Sequence, residues 1–428
     1  MVKASLESNL SSIFSRLAWR PIIVDCTAEE DSLNAYSILE DISLEEKQLI
    51  VKQGIQSSLY DRAMGSMVGL AVGDACGAPL EFLPAADKPG DHSFNIQDNI
   101  YTKEKNSFYL ERGQWTDDSS MALCMADSLI CHRELNCSDI RKRFWNWWNC
   151  GYNNAFRKDE ERRHSVGLGG NIANSLRSLR ANEEPTAFYE DGGEDAGNGS
   201  LMRLSPIPIF FHSCPEKARK AAYDSSRTTH PGPIAAEACK FLAHLIVDAF
   251  TWDRSRDVKE LLDESVRKYL ENVLTLEPGP GQDEIRRLLL SAELDCSTER
   301  NWNWRSEDLD IRGTLLRRGY SYNGYPVSAA YFGSFSVDGL AIALHSFYHT
   351  ESFGEAIEKC VNHLGDADTT AAITGQIAGA FYGYSGIEEH LKIQLQRWDD
   401  SEIAVRAALL VSLAKEKESV IPLEQRNE

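Results

Sequence analysis

Three glycines, Gly65, Gly69 and Gly73, stand four residues apart in the apolar stretch SLYDRAMGSMVGLAVGDACG that starts at Ser58. Residues at that spacing share one face of a helix. A glycine inside a helix costs about 1 kcal/mol relative to alanine, so a row of them is tolerable where another backbone has to come very close. The stretch therefore predicts a central, tightly packed helix, opened by a capping-box pair, Ser58 and Asp61. Whatever folds around it has to lay a second element against its glycine face.

The rest of the chain supplies helices and few strands. Asp117 to Cys131 reads as a second apolar helix, and Ala235 to Phe250, Val258 to Leu274 and Asp283 to Leu294 follow. The segment EPGPGQ, Glu277 to Gln282, separates the last two. Ser352 and Glu355 form another capping box, opening a helix that runs to Leu364, where Gly365 stops it. Thr369 to Phe381 begins a helix rich in alanine and glycine. Alternating strand patterns are scarce. The expected fold is all-α, a compact helical bundle with irregular loops at Asp87 to Trp115 and Ala181 to Pro208. The acidic run EDGGED, Glu190 to Asp195, reads as a solvated loop with Gly192 and Gly193 giving it flexibility. The crowded aromatics FWNWW, Phe144 to Trp148, read as helix-end packing.

Charge narrows the partners. Lysine and arginine total 45 against 65 acids, a net of -20, which repels phosphate backbones and anionic lipid, so neither nucleic acid nor a membrane surface is expected. The ten cysteines contain no CxxC pair, and a chain this long needs no disulfide framework. The opening MVKASLESNLSSIF is broken by Lys3 and Glu7 and lacks the apolar run of a signal peptide. The most apolar long window, Ala235 to Phe250, carries Glu237, Lys240, His244 and Asp248 and reads as a buried helix, not a membrane span. A cytoplasmic location is expected.

Two motifs carry the chemistry. GQWTDDSSMA, Gly113 to Ala122, offers Thr116, Asp117 and Asp118. GDADTT, Gly365 to Thr370, offers Asp366, Asp368 and Thr369. Each places two carboxylates and a hydroxyl at a helix start, where a cap needs one acceptor. Brought together they would form an all-oxygen set suited to a hard cation such as Mg²⁺, and without cysteine or histidine they disfavour zinc.

With GLAVGDACGAPLEF (Gly69 to Phe82), GLGGN (Gly167 to Asn171), GNGSLMRLSP (Gly197 to Pro206), TTHPGP (Thr228 to Pro233) and LGDADTTAAITGQIAGAFYG (Leu364 to Gly383) in order around those acids, the chain resembles the ADP-ribosylglycohydrolases. The resemblance runs from about Ser58 to Gly386. It implies an orthogonal helical bundle with a two-magnesium centre held by Thr116, Asp117, Asp118, Asp366, Asp368 and Thr369. It implies hydrolysis between a ribose C1 and a protein side chain, most similar to the arginine-directed branch, by metal-assisted attack of water with Asp117 or Asp118 as base. Glu81 matches a family glutamate beside the metals and joins the catalytic set, while Asp74 supports it from behind. Backbone N–H groups at Gly167, Gly169, Asn198, Gly199 and Ser200 are expected to hold phosphate and ribose. His230 aligns with a family histidine near the distal ribose, and Arg203 is assigned a structural role. The expected ligands are ADP-ribose and an ADP-ribosylated protein.

Three departures stand out. His363 and Leu364 precede Gly365, so one glycine of the usual GGDxD is lost; nearly sixty residues precede the core; and Thr251 to Tyr320 is expanded. The expected division is an extension at 1–57 with a possible partner-binding role, a catalytic domain at 58–412 and a charged tail at 413–428. The alternative function is a binding protein that blocks an ADP-ribosyltransferase through that extension.

Overall fold

The structure, a computed structural model, describes residues 5–20, 22, 24, 36–85, 94–97, 106–179, 185–187, 196–274, 279–290, 303–309, 311, 321–322, 325–326 and 331–420. Among these run sixteen α-helices: α1 Leu6–Phe14, α2 Leu44–Gly54, α3 Ser58–Gly77, α4 Asp117–His132, α5 Cys137–Cys150, α6 Gly170–Ser178, α7 Pro206–Phe210 and α8 Pro215–Ser226 come first. They are followed by α9 Pro233–Thr251, α10 Val258–Asn272, α11 Gln282–Leu290, α12 Ser336–Tyr348, α13 Phe353–Val361, α14 Ala367–Tyr382, α15 Glu389–Asp399 and α16 Glu402–Val420. The described β structure is one antiparallel pair, Ser321–Tyr322 with Tyr325–Pro326, and a bridge between Gly197 and Phe335. The run at Glu190 to Asp195 lies outside the described residues.

The partner of the glycine face is α14. A Cβ on Gly65 would stand 2.3 Å from the carbonyl oxygen of Gly379, one on Gly69 2.3 Å from that of Gly375, and one on Gly73 2.1 Å from that of Ala371. Rising numbers on α3 meet falling numbers on α14, so the pair is antiparallel and in backbone contact. Other helices cover the remaining faces, burying nearly every residue of α3. That explains an apolar helix without a polar side. It is also long and apolar enough to cross a bilayer, but it is packed almost wholly inside the protein.

A Cβ on Gly379 would lie 1.9 Å from the Gly65 carbonyl oxygen, where neither backbone can yield. Gly379→Ala gains about 1 kcal/mol of helix propensity, yet the helices would have to part at a cost of about 1–3 kcal/mol or more. The expected result is a lower urea midpoint with an unchanged slope, and a raised midpoint would refute so close a crossing.

Ser58 and Asp61 do not form the expected capping box. Ser57 is the N-cap residue and makes no side-chain cap bond. Asp61 is buried, accepting from Ser385 N–H at 2.9 Å and Ser385 Oγ at 2.9 Å and pairing with Arg254 at 2.7 Å. At α13, Ser352 Oγ accepts from Glu355 N–H at 3.2 Å, but the Glu355 carboxylate takes the N–H of Glu351 instead of closing a box. Phe144 and Trp147 are fully buried and Trp148 is half-exposed, in keeping with packing.

The core runs through the boundaries expected at 57/58 and 412/413. Leu10, Ile13, Ile38, Leu39, Ile42, Ile50 and Val51 belong to the same continuous core as α3, α14 and α16, and Leu413 lies within it too. A buried ionic network ties these parts together. Glu402 pairs with Lys47 at 2.8 Å, Arg157 at 3.0 Å and Arg406 at 3.1 Å and accepts from Ser37 Oγ, while Arg406 reaches Asp127 at 2.7 Å. Burial alone would raise the Glu402 pKa, yet Arg406, Arg157 and Lys47 hold it well below the usual carboxylate range.

Candidate active site

The antiparallel crossing sets the last turn of α3 against the first turn of α14. A Cβ on Gly77 would sit 2.4 Å from the Ala367 carbonyl oxygen and 2.5 Å from the Asp368 backbone nitrogen. Asp74, one turn earlier, caps α4 from another helix. Its carboxylate accepts from Thr116 N–H at 3.0 Å, Thr116 Oγ1 at 2.9 Å, Ser119 N–H at 3.0 Å and Ser119 Oγ at 2.6 Å. Asp117 and Asp118 are thereby delivered to the foot of α14, where Asp366 is the N-cap residue and Asp368 lies in the first turn. After a 3₁₀ turn at Ala78–Leu80 the chain adds Glu81.

The two sequence-distant acid motifs therefore meet. Asp74, Asp118 and Asp368 form one group and Glu81, Asp366 and Asp368 another, each with its carboxylate oxygens within 4.8 Å of one another and Asp368 common to both. Asp366 Oδ2 accepts from Asn198 Nδ2 at 2.7 Å, and Asp368 Oδ1 accepts the Thr369 N–H at 2.8 Å. Asp118 Oδ2 accepts from Thr116 Oγ1 at 3.2 Å. Asp118 Oδ1 and Glu81 Oε2, though buried, have no hydrogen-bond partner among the described residues.

Such a cluster resists ionisation. Burial, then Asp74 and Asp117, pushes the pKa of Asp118 well up; burial, then Glu81 and Asp118, does the same to Asp368. Asp117 is raised by burial and then by Asp74 and Glu81, and Asp366 by burial against a hydrogen bond from Asn198 that opposes it. Glu81 is lifted to about 8 by burial and then Asp366. Packed carboxylates with unpaired oxygens lack a positive charge, and a hard divalent ion with oxygen preference meets that need. The residues present fit such an ion.

The acids form one wall of a cleft of about 220 Å³ that Glu81, Asp117, Asp366, Asp368 and Thr369 line together with Gly167, Gly169, Asn198, Gly199 and His230. Gly167, at φ +88, lies so close over Asp117 that a Cβ there would be 2.1 Å from Asp117 Oδ1. The glycines at 197 and 199 leave room for His230, whose Nε2 would be 3.2 Å from a Cβ on Gly197. His230 Nδ1 meets Thr229 Oγ1 at 2.8 Å, and burial followed by Arg203 lowers its pKa to about 3, so the ring is neutral. Thr116 and Asp118 sit behind the lining. Ser200 is not brought to the cleft; its hydroxyl accepts from Ser226 Oγ at 2.9 Å and from Cys239 Sγ at 3.3 Å in the core. Arg203 donates to Thr229 Oγ1 at 2.6 Å and lies over the Phe144 ring at 4.5 Å.

The lost glycine falls beside this site. Leu364 takes φ +63, a left-handed conformation costing roughly 1–2 kcal/mol, and full burial of its side chain offsets the cost. Sequence reasoning missed Tyr331, whose hydroxyl donates to Glu81 Oε1 at 3.1 Å, and Asn171, Ile172, Met202 and Ser334 in the lining. Asn171 stands inside the GLGGN motif and was within reach. Tyr331 belongs to no local pattern.

A family model described as ADP-ribosylglycohydrolase matches residues 55–419. The chain is 28% identical over 332 residues to an ADP-ribosylarginine hydrolase, Tri1, of Serratia proteamaculans strain 568, covering 78% of this chain and 74% of that one. It is 26% identical over 359 residues to the ADP-ribosyl-[dinitrogen reductase] glycohydrolase of Rhodospirillum rubrum, covering 83% and 98%. A solved structure described as an ADP-ribosylglycohydrolase-related protein complex superposes with a TM-score of 0.56 at 28% identity, over 83% of this chain and 99% of its own. The matched region carries every acid of the cluster and the whole cleft, and the chain belongs to the ADP-ribosylglycohydrolase family of enzymes.

Proposed function

We propose that the protein is a magnesium-dependent hydrolase that removes ADP-ribose from modified protein side chains, arginine above all, in the cytoplasm. The observation that carries this reading is the pair of acid groups sharing Asp368, with a buried unpartnered oxygen on Glu81 at the wall of a glycine-lined cleft and another on Asp118 behind it. The named relatives act on ADP-ribosylarginine and ADP-ribosyl-dinitrogen reductase, which supports a protein-linked substrate.

Thr116, Asp117, Asp118, Asp366, Asp368 and Thr369 would hold two Mg²⁺ ions. When bound, the ions neutralise the acids and supply positive charge that grips ribose hydroxyls. Asp74 already accepts from four donors and serves to hold α4 in place. Asn198 spends its amide on Asp366 and on the Gly333 carbonyl at 2.9 Å, so it positions an acid. Gly167, Gly169 and Gly199 let a diphosphate approach backbone N–H groups without a side chain between, and neutral His230 offers the distal ribose a ring without charge.

Asp117, held in contact with Gly167, takes the proton of the attacking water at its carboxylate in this reading. Glu81 is the second candidate base, with Tyr331 fixing one of its oxygens. Departure of the side chain from C1 builds positive charge on the ribose, and the surrounding carboxylates stabilise it.

The test is ADP-ribose release from arginine-linked and serine-linked peptides, with Mg²⁺ and with EDTA. Faster release from the arginine peptide, abolished by EDTA and restored by Mg²⁺, is expected. Undiminished release in EDTA would remove the metal from the reading, and preference for serine would remove arginine.

A further inference from the structure

Phe82, directly after Glu81, departs from what its residue type favours in two ways. The residue is 54% exposed and its backbone holds φ +69. A bulky side chain in that conformation is strained, and a ring left in water gains little from burial. Two backbone hydrogen bonds hold it there: Phe82 N–H donates to the Gly365 carbonyl at 3.0 Å, and Gly365 N–H donates to the Leu83 carbonyl at 3.0 Å. The ring is thus tied to the loop that carries Asp366 and Asp368. It stacks on Tyr331 with centroids 5.4 Å apart and planes at 21°, and it meets Phe108 edge-on at 5.9 Å. Since Tyr331 lines the cleft and donates to Glu81, this aromatic ladder borders the acid end of the cleft.

Hydrolysis as proposed above fixes the pose of the substrate. A ribose at the acids, with its diphosphate toward Gly169 and Gly199, directs the C1 substituent away from the glycines, to the side where Glu81 and the ladder stand. We propose that the exposed face of Phe82 receives the guanidinium of the modified arginine, which makes Phe82 a specificity-determining residue for arginine-linked substrates. A guanidinium is planar, delocalised and weakly hydrated, and it stacks on aromatic faces. A serine-linked substrate brings neither plane nor charge to that face.

Phe82→Gly removes the ring and relieves the left-handed strain, so the variant keeps its fold. Its kcat/KM on an ADP-ribosylarginine peptide is expected to fall roughly fivefold to thirtyfold, mainly through KM. Inhibition by free ADP-ribose, which has no side chain at C1, should keep its inhibition constant, and the melting temperature should match or exceed wild type. Phe82→Trp, the stronger cation acceptor, should retain or improve arginine-peptide KM. Unchanged arginine-peptide kinetics in Phe82→Gly, or a loss matched by weaker ADP-ribose inhibition, would overturn the assignment. A wild-type protein that releases nothing from the arginine peptide would instead remove the reaction itself, and this inference with it.

Discussion

Asp368→Asn is expected to cut ADP-ribose release by about a thousandfold or more, while raising the melting temperature of the protein in chelator. The first effect follows from the position of Asp368 in both acid groups. The second follows from its surroundings, because burial, Glu81 and Asp118 push its pKa well above the ordinary value. A carboxyl whose pKa rises on folding stabilises the metal-free protein below its unfolded value of about 3.9, and that contribution is lost as pH rises through the folded value. At neutral pH the aspartate has either to hold a proton or to carry its charge among other buried acids, and both weaken the metal-free fold, whereas the uncharged amide does neither. With Mg²⁺ the order should reverse, because binding stabilises the wild type more than the variant. Turnover assays and thermal melts with EDTA and with Mg²⁺ check both halves. Near-full turnover in the variant, or a variant that melts lower in chelator, would sink the proposed centre.

Removal of residues 1–57 is expected to leave no folded enzyme. The segment buries Leu10, Ile13, Ile38, Leu39, Ile42, Ile50 and Val51, each contributing about 1.5–3 kcal/mol. Together that matches the whole stability of an ordinary domain, about 5–15 kcal/mol. The single change Glu402→Ala reports on the same joint. It leaves Lys47, Arg157 and Arg406 converging where their shared carboxylate stood, at a cost of about 3–5 kcal/mol. Circular dichroism and solubility read both. A soluble truncated protein that melts like the full chain would mark the segment as detachable and favour a partner-binding role for it.

What could be read beforehand was chemistry that a short stretch carries alone. Gly65, Gly69 and Gly73 announce a close crossing because a four-residue period has a single meaning on a helix, and the doubled acids exceed the needs of a cap. Partners drawn from elsewhere in the chain left no such mark. Asp61 looks like a cap by spacing, yet Ser385 and Arg254 claim it across the fold. Tyr331 enters the site because the segment before α12 lies against the loop that carries Asp366, its Phe332 carbonyl accepting the Asp366 N–H at 2.8 Å. The burial of α1 and α2 depends on α16, whose complementary surface lies more than 350 residues away.

Because α3 and α14 touch along their glycines, the distance between the acid corners is governed by how two rods slide past each other. One residue of slip shifts a ligand by about 1.5 Å, and Gly65 stands about 18 Å of helix from Gly77 at the site. The affinity of the proposed metal centre is thus exposed to changes remote from its acids, and the inner stem of the molecule acts as the gauge to which its reactive end is set.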